Sequence, residues 1–329
     1  MSWLVVALLA ESAQPQLATQ TREMMTTHVT ISIAGGAPVK IQRGFDAAFA
    51  EFERVDGVMN EWKPDSVLGR INGAAGGPEA VFAPPDLCAI LQVAIAGTSR
   101  TDGLFDPTWA ALRDLWKFDA SHRGQVPPAE ALAARCKLID ARSVHIARRK
   151  QGCSVRLPHE GMALGLGGIA KGWGVDRAVE KLRALGLTDF FVQAGGDLYA
   201  AGLHGDRPWR VGIRDPRGAP DDTLGLVEVR DAAFSTSGDY ERWFEVDGVR
   251  YHHIIDPRTC QPARASRQAT VLARTATDAE ILTKAAFIAG GEAGLALAQR
   301  NGAAAVLVDA EGRVRLSPEL EGRIAWTRQ

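Results

Sequence analysis

Residues 209 to 271 read as one strand after another, without a long helical pattern between them. Apolar side chains recur at helical spacing in four longer segments elsewhere, at residues 44–58, 85–98, 169–186 and 278–289. Strands therefore outnumber helices and do not alternate with them, which argues against a doubly wound parallel sheet. The sequence predicts one large α+β domain over residues 22–329.

Smaller elements are expected between these segments. Residues 22–33 alternate like a strand, and a second short strand is expected at residues 38–41 after the turn at Gly35-Gly36. Residues 60–77 are polar and rich in turn formers, and residues 119–130 read as a polar linker. Further strands are predicted in two places, as a pair around a basic turn over residues 138–157 and as strand, turn, strand over residues 303–326.

The composition limits the class of function. Apolar residues make up 46% of the 329 residues, enough to bury a sizeable core, and the net charge is −1. The basic excess typical of a nucleic-acid binder is missing, and this balance also excludes intrinsic disorder. No apolar run approaches the ~20 residues that cross a bilayer. A globular protein without a nucleic-acid partner is expected.

The first 21 residues form an apolar or flexible segment ahead of this domain. Met1–Ala10 is a short apolar stretch followed by small residues, as in a secretory signal, but the positively charged start of such a signal is missing. Two interpretations stay open: a signal remnant, or a frayed terminus or first strand.

The four cysteines, at positions 88, 136, 153 and 260, show no CxxC spacing. A zinc site or a disulfide scaffold therefore has no support from spacing. Cys136 and Cys153 flank an expected hairpin and could pair in an oxidising compartment. The favoured alternative is that the cysteines are buried free thiols.

A glycine-rich stretch, residues 165–172, opens the third long helix. It matches neither the dinucleotide fingerprint nor the phosphate loop of nucleotide hydrolases. Backbone N–H groups exposed by glycines at a helix start attract anions, and Lys171 adds a positive charge. The stretch therefore indicates a phosphate site, with close packing as the structural alternative.

A second segment, residues 251–259, places two histidines, a carboxylate and an arginine close together. In a strand, His253 and Ile255 would share one face and Asp256 would lie on the other. His253 could hydrogen-bond a phosphate oxygen, and Arg258 could neutralise one. The stretches at residues 102–108 and 236–242 are rich in polar side chains and could be either sites or turns.

In this order, the motifs resemble those of the FAD:protein FMN transferase family, the ApbE-type flavin transferases. The matching motifs cover residues 22–325 and read MNEWKPDS at 59–66, DGLFDPT at 102–108 with Leu115-Trp116, GGIAKGWGVD at 167–176, QAGGDLYAAG at 193–202, STSGDYER at 235–242 and HIIDPRT at 253–259.

The resemblance implies a fold and a reaction. The fold would be an α+β fold related to the T-fold, with mixed antiparallel sheets, packed helices and FAD in a cleft between lobes. A Ser or Thr hydroxyl of an acceptor flavoprotein would attack the FAD pyrophosphate, FMN would become esterified to that side chain, and AMP would leave. Mg²⁺ would bridge the pyrophosphate and offset the developing charge.

The resemblance also implies roles for particular residues. The residues expected to contact the flavin or adenine, or to line the cleft, are Met24, Trp62, Leu104, Phe105, Asp106, Lys171, Gly195, Gly196, Ser237, His253 and Ile254. His253 and Asp256 are expected beside the scissile phosphate as the catalytic pair. The carbonyl of Gly168 corresponds to a metal ligand.

Four positions depart from the family pattern. Gly165 stands where the family has Asp, and Cys260 stands where it has Gly. The family's metal-binding Asp and Thr, four residues apart, correspond to Glu280 and Lys284, and a lysine cannot coordinate a metal. We therefore hypothesise that the ammonium group of Lys284 partly replaces the metal, or that metal binding is weakened.

Asp278 and Thr283 lie close enough in sequence to Glu280 and Lys284 to supply replacement metal ligands after a register shift.

Two other functions would use the same site residues as the transferase: an FAD pyrophosphatase with water as nucleophile, and a flavin-binding protein with a degraded metal site. The resemblance implies action at the periplasmic side of the inner membrane, with peripheral association with the membrane. A cytoplasmic location is the alternative.

Overall fold

The computed structural model describes residues 17–118 and 124–327. The apolar stretch Met1–Ala10 and part of the expected linker at 119–130 lie outside the described residues. The helices are α1 Pro38–Met59, α2 Val67–Gly73, α3 Pro85–Arg100, α4 Ala129–Cys136, α5 Ala170–Ala184, α6 Ala276–Ala289 and α7 Gly291–Arg300. Short 3₁₀ helices cover Pro107–Leu112, Ala141–Ser143 and Pro318–Leu320.

The strands run through the whole described chain. They are β1 Leu17–Met24, β2 Thr27–Ala34, β3 Val81–Ala83, β4 His145–Arg149, β5 Gly152–Arg156, β6 Phe190–Ala194, β7 Asp197–Ala201, β8 Trp209–Arg214, β9 Thr223–Val229, β10 Ala232–Gly238, β11 Trp243–Val246, β12 Val249–His252, β13 Ile255–Asp256, β14 Gln261–Pro262, β15 Ser266–Ala273, β16 Ala304–Asp309, β17 Val314–Leu316 and β18 Ile324–Trp326.

An eight-stranded sheet forms the centre of the molecule, in the order β1-β2-β6-β7-β10-β15-β16-β17. Every neighbouring pair in it is antiparallel. A three-stranded sheet of β8, β9 and β18 and another of β3, β4 and β5 are separate from it. The predicted α+β class with mixed antiparallel sheets is confirmed.

Helices α1, α5, α6 and α7 pack on one face of the central sheet and bury the main apolar core. Phe45, Phe49 and Phe52 of α1 lie in this core, as their helical spacing predicts. On the opposite face, strands β8, β9 and β18 cover a second core that includes Phe234. Helix α6 is buried along most of its length, so it positions groups between the sheet and α5.

Two predictions about the N-terminal region are wrong. The strand expected at residues 22–33 is a hairpin of β1 and β2, turned at Met25 and Thr26, which both have positive φ values. This turn carries neither Gly nor Asn, so the usual sequence signal of a hairpin is absent. The strand expected at residues 38–41 is the first turn of α1, where Pro38 supplies a preset φ at the helix start.

Three helices were not expected from the sequence, and one of them is α4, which begins at the end of the linker expected at residues 119–130. Helix α2 lies in the turn-rich stretch 60–77 and begins at Ser66, whose hydroxyl accepts a hydrogen bond from the N–H of Gly69. Helix α7 follows α6 directly after Gly290. Among the described residues, no helix is long and apolar enough to cross a membrane.

The cysteines form two disulfides, Cys88–Cys153 and Cys136–Cys260, each with a Cα–Cα distance of 5.9 Å. Both expectations from the sequence, a Cys136–Cys153 pair or free thiols, are therefore wrong. The pairs close loops of 65 and 124 residues, and loop entropy of that size corresponds to about 4–5 kcal/mol for each bond. Such long-range pairings leave no local pattern in the sequence.

Candidate active site

The glycine-rich loop before α5 is organised by a carboxylate of the protein itself. Glu61, which is 6% exposed, accepts hydrogen bonds from the N–H groups of Leu166 (2.5 Å) and Gly167 (3.1 Å). Burial raises the pKa of Glu61, although these hydrogen bonds oppose the rise. The expectation that glycines here expose N–H groups to a ligand phosphate is therefore wrong at Gly167, and Glu61 also occupies the neighbouring N–H of Leu166.

Two lysines and two carboxylates form a buried cluster beside this loop, which we call the charge cluster (Lys171, Asp197, Glu280 and Lys284). Lys171 Nζ lies 2.5 Å from Glu280 Oε1 and 2.9 Å from Asp197 Oδ2. Lys284 Nζ lies 3.4 Å from the same Glu280 oxygen and donates to the Glu280 carbonyl at 3.2 Å. The other carboxylate oxygen of Glu280 accepts from the N–H of Gly172 at 2.8 Å. Both carboxylates are buried, while about a quarter of each lysine side chain is exposed. Burial raises the pKa of Asp197 and lowers the pKa of Lys284, although the Glu280 carboxylate opposes the lowering at Lys284.

The pKa values in the charge cluster follow from burial and from the neighbouring charges. Burial opposes ionisation of Glu280, but Lys171 and Lys284 outweigh it and hold the pKa of Glu280 below its usual range. Burial also opposes the charged form of Lys171, yet Asp197 and Glu280 raise the pKa of that ammonium above its usual value. Glu280 is therefore ionised and Lys171 protonated at neutral pH.

Lys284 runs along the backbone of Gly168. A Cβ atom at Gly168 would lie 3.2 Å from Cε of Lys284 and 3.6 Å from the ring of Phe105. At Gly165, a Cβ would lie only 2.9 Å from the Cβ of Ala110. Close packing therefore favours glycine over Asp at residue 165, whereas at residue 168 the nearest neighbour is the flexible end of the Lys284 side chain.

The charge cluster does not fit a Mg²⁺ ion. Mg²⁺ takes oxygen ligands in near-octahedral geometry, whereas the groups around the Glu280 carboxylate are N–H donors from Lys171, Lys284 and Gly172. An ammonium group has no lone pair for a metal. Among residues 17–118 and 124–327, no group of three His, Cys, Asp or Glu side chains is placed to hold a metal ion.

The two residues considered as replacement metal ligands are held elsewhere. The hydroxyl of Thr283 donates to the carbonyl of Ala269 at 3.0 Å, on the central sheet. Asp278 accepts from the hydroxyl of Thr275 at 3.0 Å at the start of α6 and pairs with Arg100 at 2.6 Å. Metal ligation by Thr283 stays a prediction that these contacts do not support.

His253 lies between β12 and β13 and presents an unpartnered ring nitrogen. Its Nδ1 atom is buried and has no hydrogen-bond partner in the described part of the chain. Burial lowers the pKa of His253 to about 3, and the charges of Arg242 and Lys284 add to that effect. The ring is therefore neutral at pH 7. Buried polar atoms are normally hydrogen-bonded, so this ring nitrogen is free to bind a water molecule or a ligand.

Asp256 and Arg258 bind each other. The carboxylate of Asp256 accepts from the backbone N–H of Arg258 at 2.9 Å, from its Nε at 3.0 Å and from its Nη2 at 2.7 Å. The guanidinium expected to neutralise a ligand phosphate is thus held by Asp256. The continuous strand expected through His253 and Ile255 is wrong as well, because β12 ends at His252 and β13 covers only two residues.

His252 differs from its neighbour in being fully hydrogen-bonded. Its Nε2 lies 2.8 Å from the carbonyl of Ala263, and its Nδ1 accepts from the N–H of Ile254 at 3.3 Å. Donation from Nε2 and acceptance at Nδ1 require the neutral ring, and burial lowers the pKa of His252 to about 4. His252 is therefore a structural residue.

The protonation of His252 should appear in the pH dependence of stability. Its folded pKa lies below the unfolded value near 6.5, so the stabilisation is complete above pH 6.5 and is lost as the pH falls towards 4. Urea unfolding should show the stability advantage of the wild type over His252→Gln shrinking by about 1.4 kcal/mol per pH unit in this window. An advantage that stays constant from pH 7 to pH 5 would contradict the neutral-ring assignment.

The remaining expected contacts fall into two groups. Leu104 and Ile254 are buried in the main core, and Phe105 is buried in the neighbouring one. Asp106 caps the 3₁₀ helix that follows it, accepting from the N–H groups of Thr108 (2.8 Å) and Ala141 (3.1 Å). Asp106 thus fixes the loop that carries Leu104 and Phe105.

Trp62 and Met24 are less buried. Met24 is partly buried against the main core. Trp62 is 66% exposed, so packing in the core does not explain this large apolar side chain.

The two glycines expected to line the cleft lie between β6 and β7. Gly195 has a φ of +59°, and a Cβ at Gly196 would lie 2.9 Å from the carbonyl of Thr236. Both glycines are thus required by the backbone between β6 and β7. Ser237 is buried on the neighbouring strand β10.

Two residues that organise the site were not assigned roles from the sequence. Glu61 holds the glycine-rich loop, as described above. Asp176 accepts from the N–H groups of Ala276 (2.8 Å) and Thr277 (2.9 Å), and so joins α5 to the start of α6. Both residues stand inside the quoted motifs, which was the only sequence signal for them.

Comparison with known proteins decides the family. Residues 25–308 match the model of the ApbE family. The chain belongs to the ApbE family. It is 35% identical over 302 residues to the FAD:protein FMN transferase of Treponema pallidum, a match that covers 87% of this chain and 82% of the relative.

Solved structures of ApbE proteins share the fold. The ApbE protein of Thermotoga maritima superposes with a TM-score of 0.84 at 31% identity, covering 94% of this chain and 99% of that one. The apo form of the flavinyl transferase ApbE of Pseudomonas stutzeri superposes with a TM-score of 0.81 at 30% identity, covering 95% and 98%. The resemblance found in the sequence motifs is confirmed.

Proposed function

We propose that this ApbE protein transfers FMN from FAD to a Ser or Thr hydroxyl of an acceptor flavoprotein. The hydroxyl oxygen attacks the phosphorus on the FMN side of the pyrophosphate, the bond from that phosphorus to the AMP oxygen breaks, and AMP leaves. The FAD:protein FMN transferase of Treponema pallidum supports this reaction. In the structure, the observation that carries it is the unpartnered Nδ1 of neutral His253 beside the charge of Lys284.

His253 is the group that accepts the proton of the attacking hydroxyl. A neutral imidazole with a free ring nitrogen can do so, whereas a protonated ring cannot. The low pKa of His253 in the free protein reflects burial and neighbouring positive charge. A bound pyrophosphate brings negative charge, which raises the pKa of His253 towards the working pH.

Lys284 supplies fixed positive charge beside the glycine-rich loop. It lies against Gly168 and contributes to the field at His253. A preorganised cation of this kind stabilises charge that develops on phosphate oxygens. Because the charge cluster does not fit Mg²⁺, no step of the proposed reaction needs a metal at Glu280.

Asp256 acts through the turn that it organises. Its carboxylate is neutralised by Arg258, so it keeps the segment after His253 in one conformation. A direct catalytic role for Asp256 stays a prediction.

Transfer, pyrophosphatase and simple binding can be separated in one assay. The protein is incubated with FAD and an acceptor domain that carries a Thr target, and with the same domain carrying Ala at that residue. Transfer predicts AMP and FMN-modified acceptor in equal amounts, and no modified acceptor for the Ala domain. AMP without modified acceptor would indicate FAD pyrophosphatase activity, and bound FAD without AMP would indicate a flavin-binding protein.

The two disulfides bear on location. Disulfides persist in oxidising compartments and are rare in the cytoplasm. They support our proposal that the protein acts at the periplasmic side of the inner membrane, and cell fractionation tests it. Peripheral association with the membrane stays a prediction.

A further inference from the structure

The turn that follows Asp256 contains a residue in an unusual conformation. Cys260 has a φ of +59°, in the left-handed region that favours glycine. Its N–H donates to the carbonyl of Asp256 at 2.8 Å, which closes the turn between β13 and β14. The turn that carries Asp256 therefore depends on a backbone conformation that a cysteine adopts at a cost.

The β-ladder on either side of this turn is short. The ladder between β13 and β14 has two residue pairs, and one of them includes Pro262, which has no N–H to donate. Neither strand belongs to the central sheet. The carbonyl of Cys260 accepts from the indole of Trp116 at 2.9 Å. The hairpin is thus tied at two places: at Ala263, whose N–H donates to the carbonyl of Ile254 at 3.0 Å, and at Cys260, which is held by Trp116 and by the disulfide to Cys136.

The disulfide connects that side to a segment near the expected flavin contacts. Cys136 is the last residue of α4, a helix that packs on the 3₁₀ helix Pro107–Leu112. Arg135 fixes this packing by donating to the carbonyl of Ala111 at 3.2 Å and pairing with Asp114 at 2.8 Å. The same 3₁₀ helix begins directly after Asp106.

We propose that the Cys136–Cys260 disulfide is a positioning device that holds Cys260 in its left-handed conformation, and with it the turn that carries Asp256 next to His253. A glycine at residue 260 would adopt this left-handed conformation without a disulfide. Opening the disulfide lets Cys260 relax to an ordinary conformation, and the fraction of molecules with a competent turn falls.

This inference rests on the proposed transferase function. Its test compares kcat and KM for AMP release with FAD and an acceptor domain in four proteins: wild type, Cys136→Ala, the double variant Cys136→Ala/Cys260→Gly, and Cys88→Ala/Cys153→Ala. The last is a matched control, because it removes a disulfide that joins α3 to β5 in a different core.

Cys136→Ala is expected to lower kcat about fivefold, the lower end of the range for a non-glycine residue in the left-handed region, with KM for FAD nearly unchanged. The added Cys260→Gly should restore most of kcat and remove sensitivity to dithiothreitol. The control should keep the wild-type kcat at temperatures well below its melting point. Recovery of kcat in the double variant would show that the disulfide acts by positioning the turn, because a general loss of stability would not be reversed by glycine at residue 260.

Three results would overturn the proposal: an unchanged kcat in Cys136→Ala, no rescue by Cys260→Gly, or an equal loss of kcat in the control. A wild type that releases no AMP would instead count against the transferase function. In that case, amide hydrogen exchange across residues 253–262 still decides the structural point. It should accelerate in Cys136→Ala and return to the wild-type rate in the double variant.

Discussion

Lys171→Met should lower the free energy of unfolding by about 3–5 kcal/mol, the usual cost of leaving a buried charge without its partner. Glu280 has no solvent exposure and Asp197 is 3% exposed, and Lys171 pairs with both carboxylates. Urea unfolding at pH 7 measures the difference.

Lys284→Met is the matched comparison for Lys171→Met. It also removes an ammonium group from the charge cluster, but Glu280 keeps Lys171 and the N–H of Gly172. We expect less than half of the Lys171→Met loss. Equal losses for the two variants would show that Lys171 has no special role in compensating the buried carboxylates.

His253→Ala should reduce the rate of FMN transfer by about 10²- to 10⁴-fold, the range for removing a general base. The dissociation constant for FAD should change less than threefold, because the proposed role of the ring concerns the acceptor proton. Single-turnover AMP release and FAD titration measure the two quantities separately.

His145→Ala serves as the control for His253→Ala, since His145 is exposed on β4, in a different sheet. It should transfer FMN at the wild-type rate. A His253→Ala variant that keeps its rate within threefold of the wild type would remove His253 from the reaction.

Local periodicity predicted those parts of the fold that local forces determine. The phenylalanines of α1 and the glycine stop after α5 could be read directly, because one face of a helix must meet the core. The hairpin of β1 and β2 could not, because its turn uses Met25 and Thr26 where Gly or Asn would have signalled it.

Within the site, the sequence motifs predicted which segments matter but not how their side chains pair. The i,i+4 spacing of Glu280 and Lys284 on one helix predicts their contact, which the structure shows, but only the fold brings Lys171 to the same carboxylate. Arg258 was expected on a ligand phosphate and lies on Asp256. Pairings between residues distant in sequence depend on the whole topology, and no local pattern encodes them.

FMN transfer without divalent metal tests most directly whether Lys284 takes the place of the metal. Acceptor domain, FAD and the protein are incubated in metal-free buffer with EDTA, and the intact mass of the acceptor is followed over time beside a reaction with Mg²⁺. If the ammonium group of Lys284 takes the place of the metal, the acceptor gains one FMN in both reactions, at rates within threefold of each other. Lys284→Met should then slow the reaction in EDTA at least tenfold. Transfer that EDTA abolishes and Mg²⁺ restores would contradict the account.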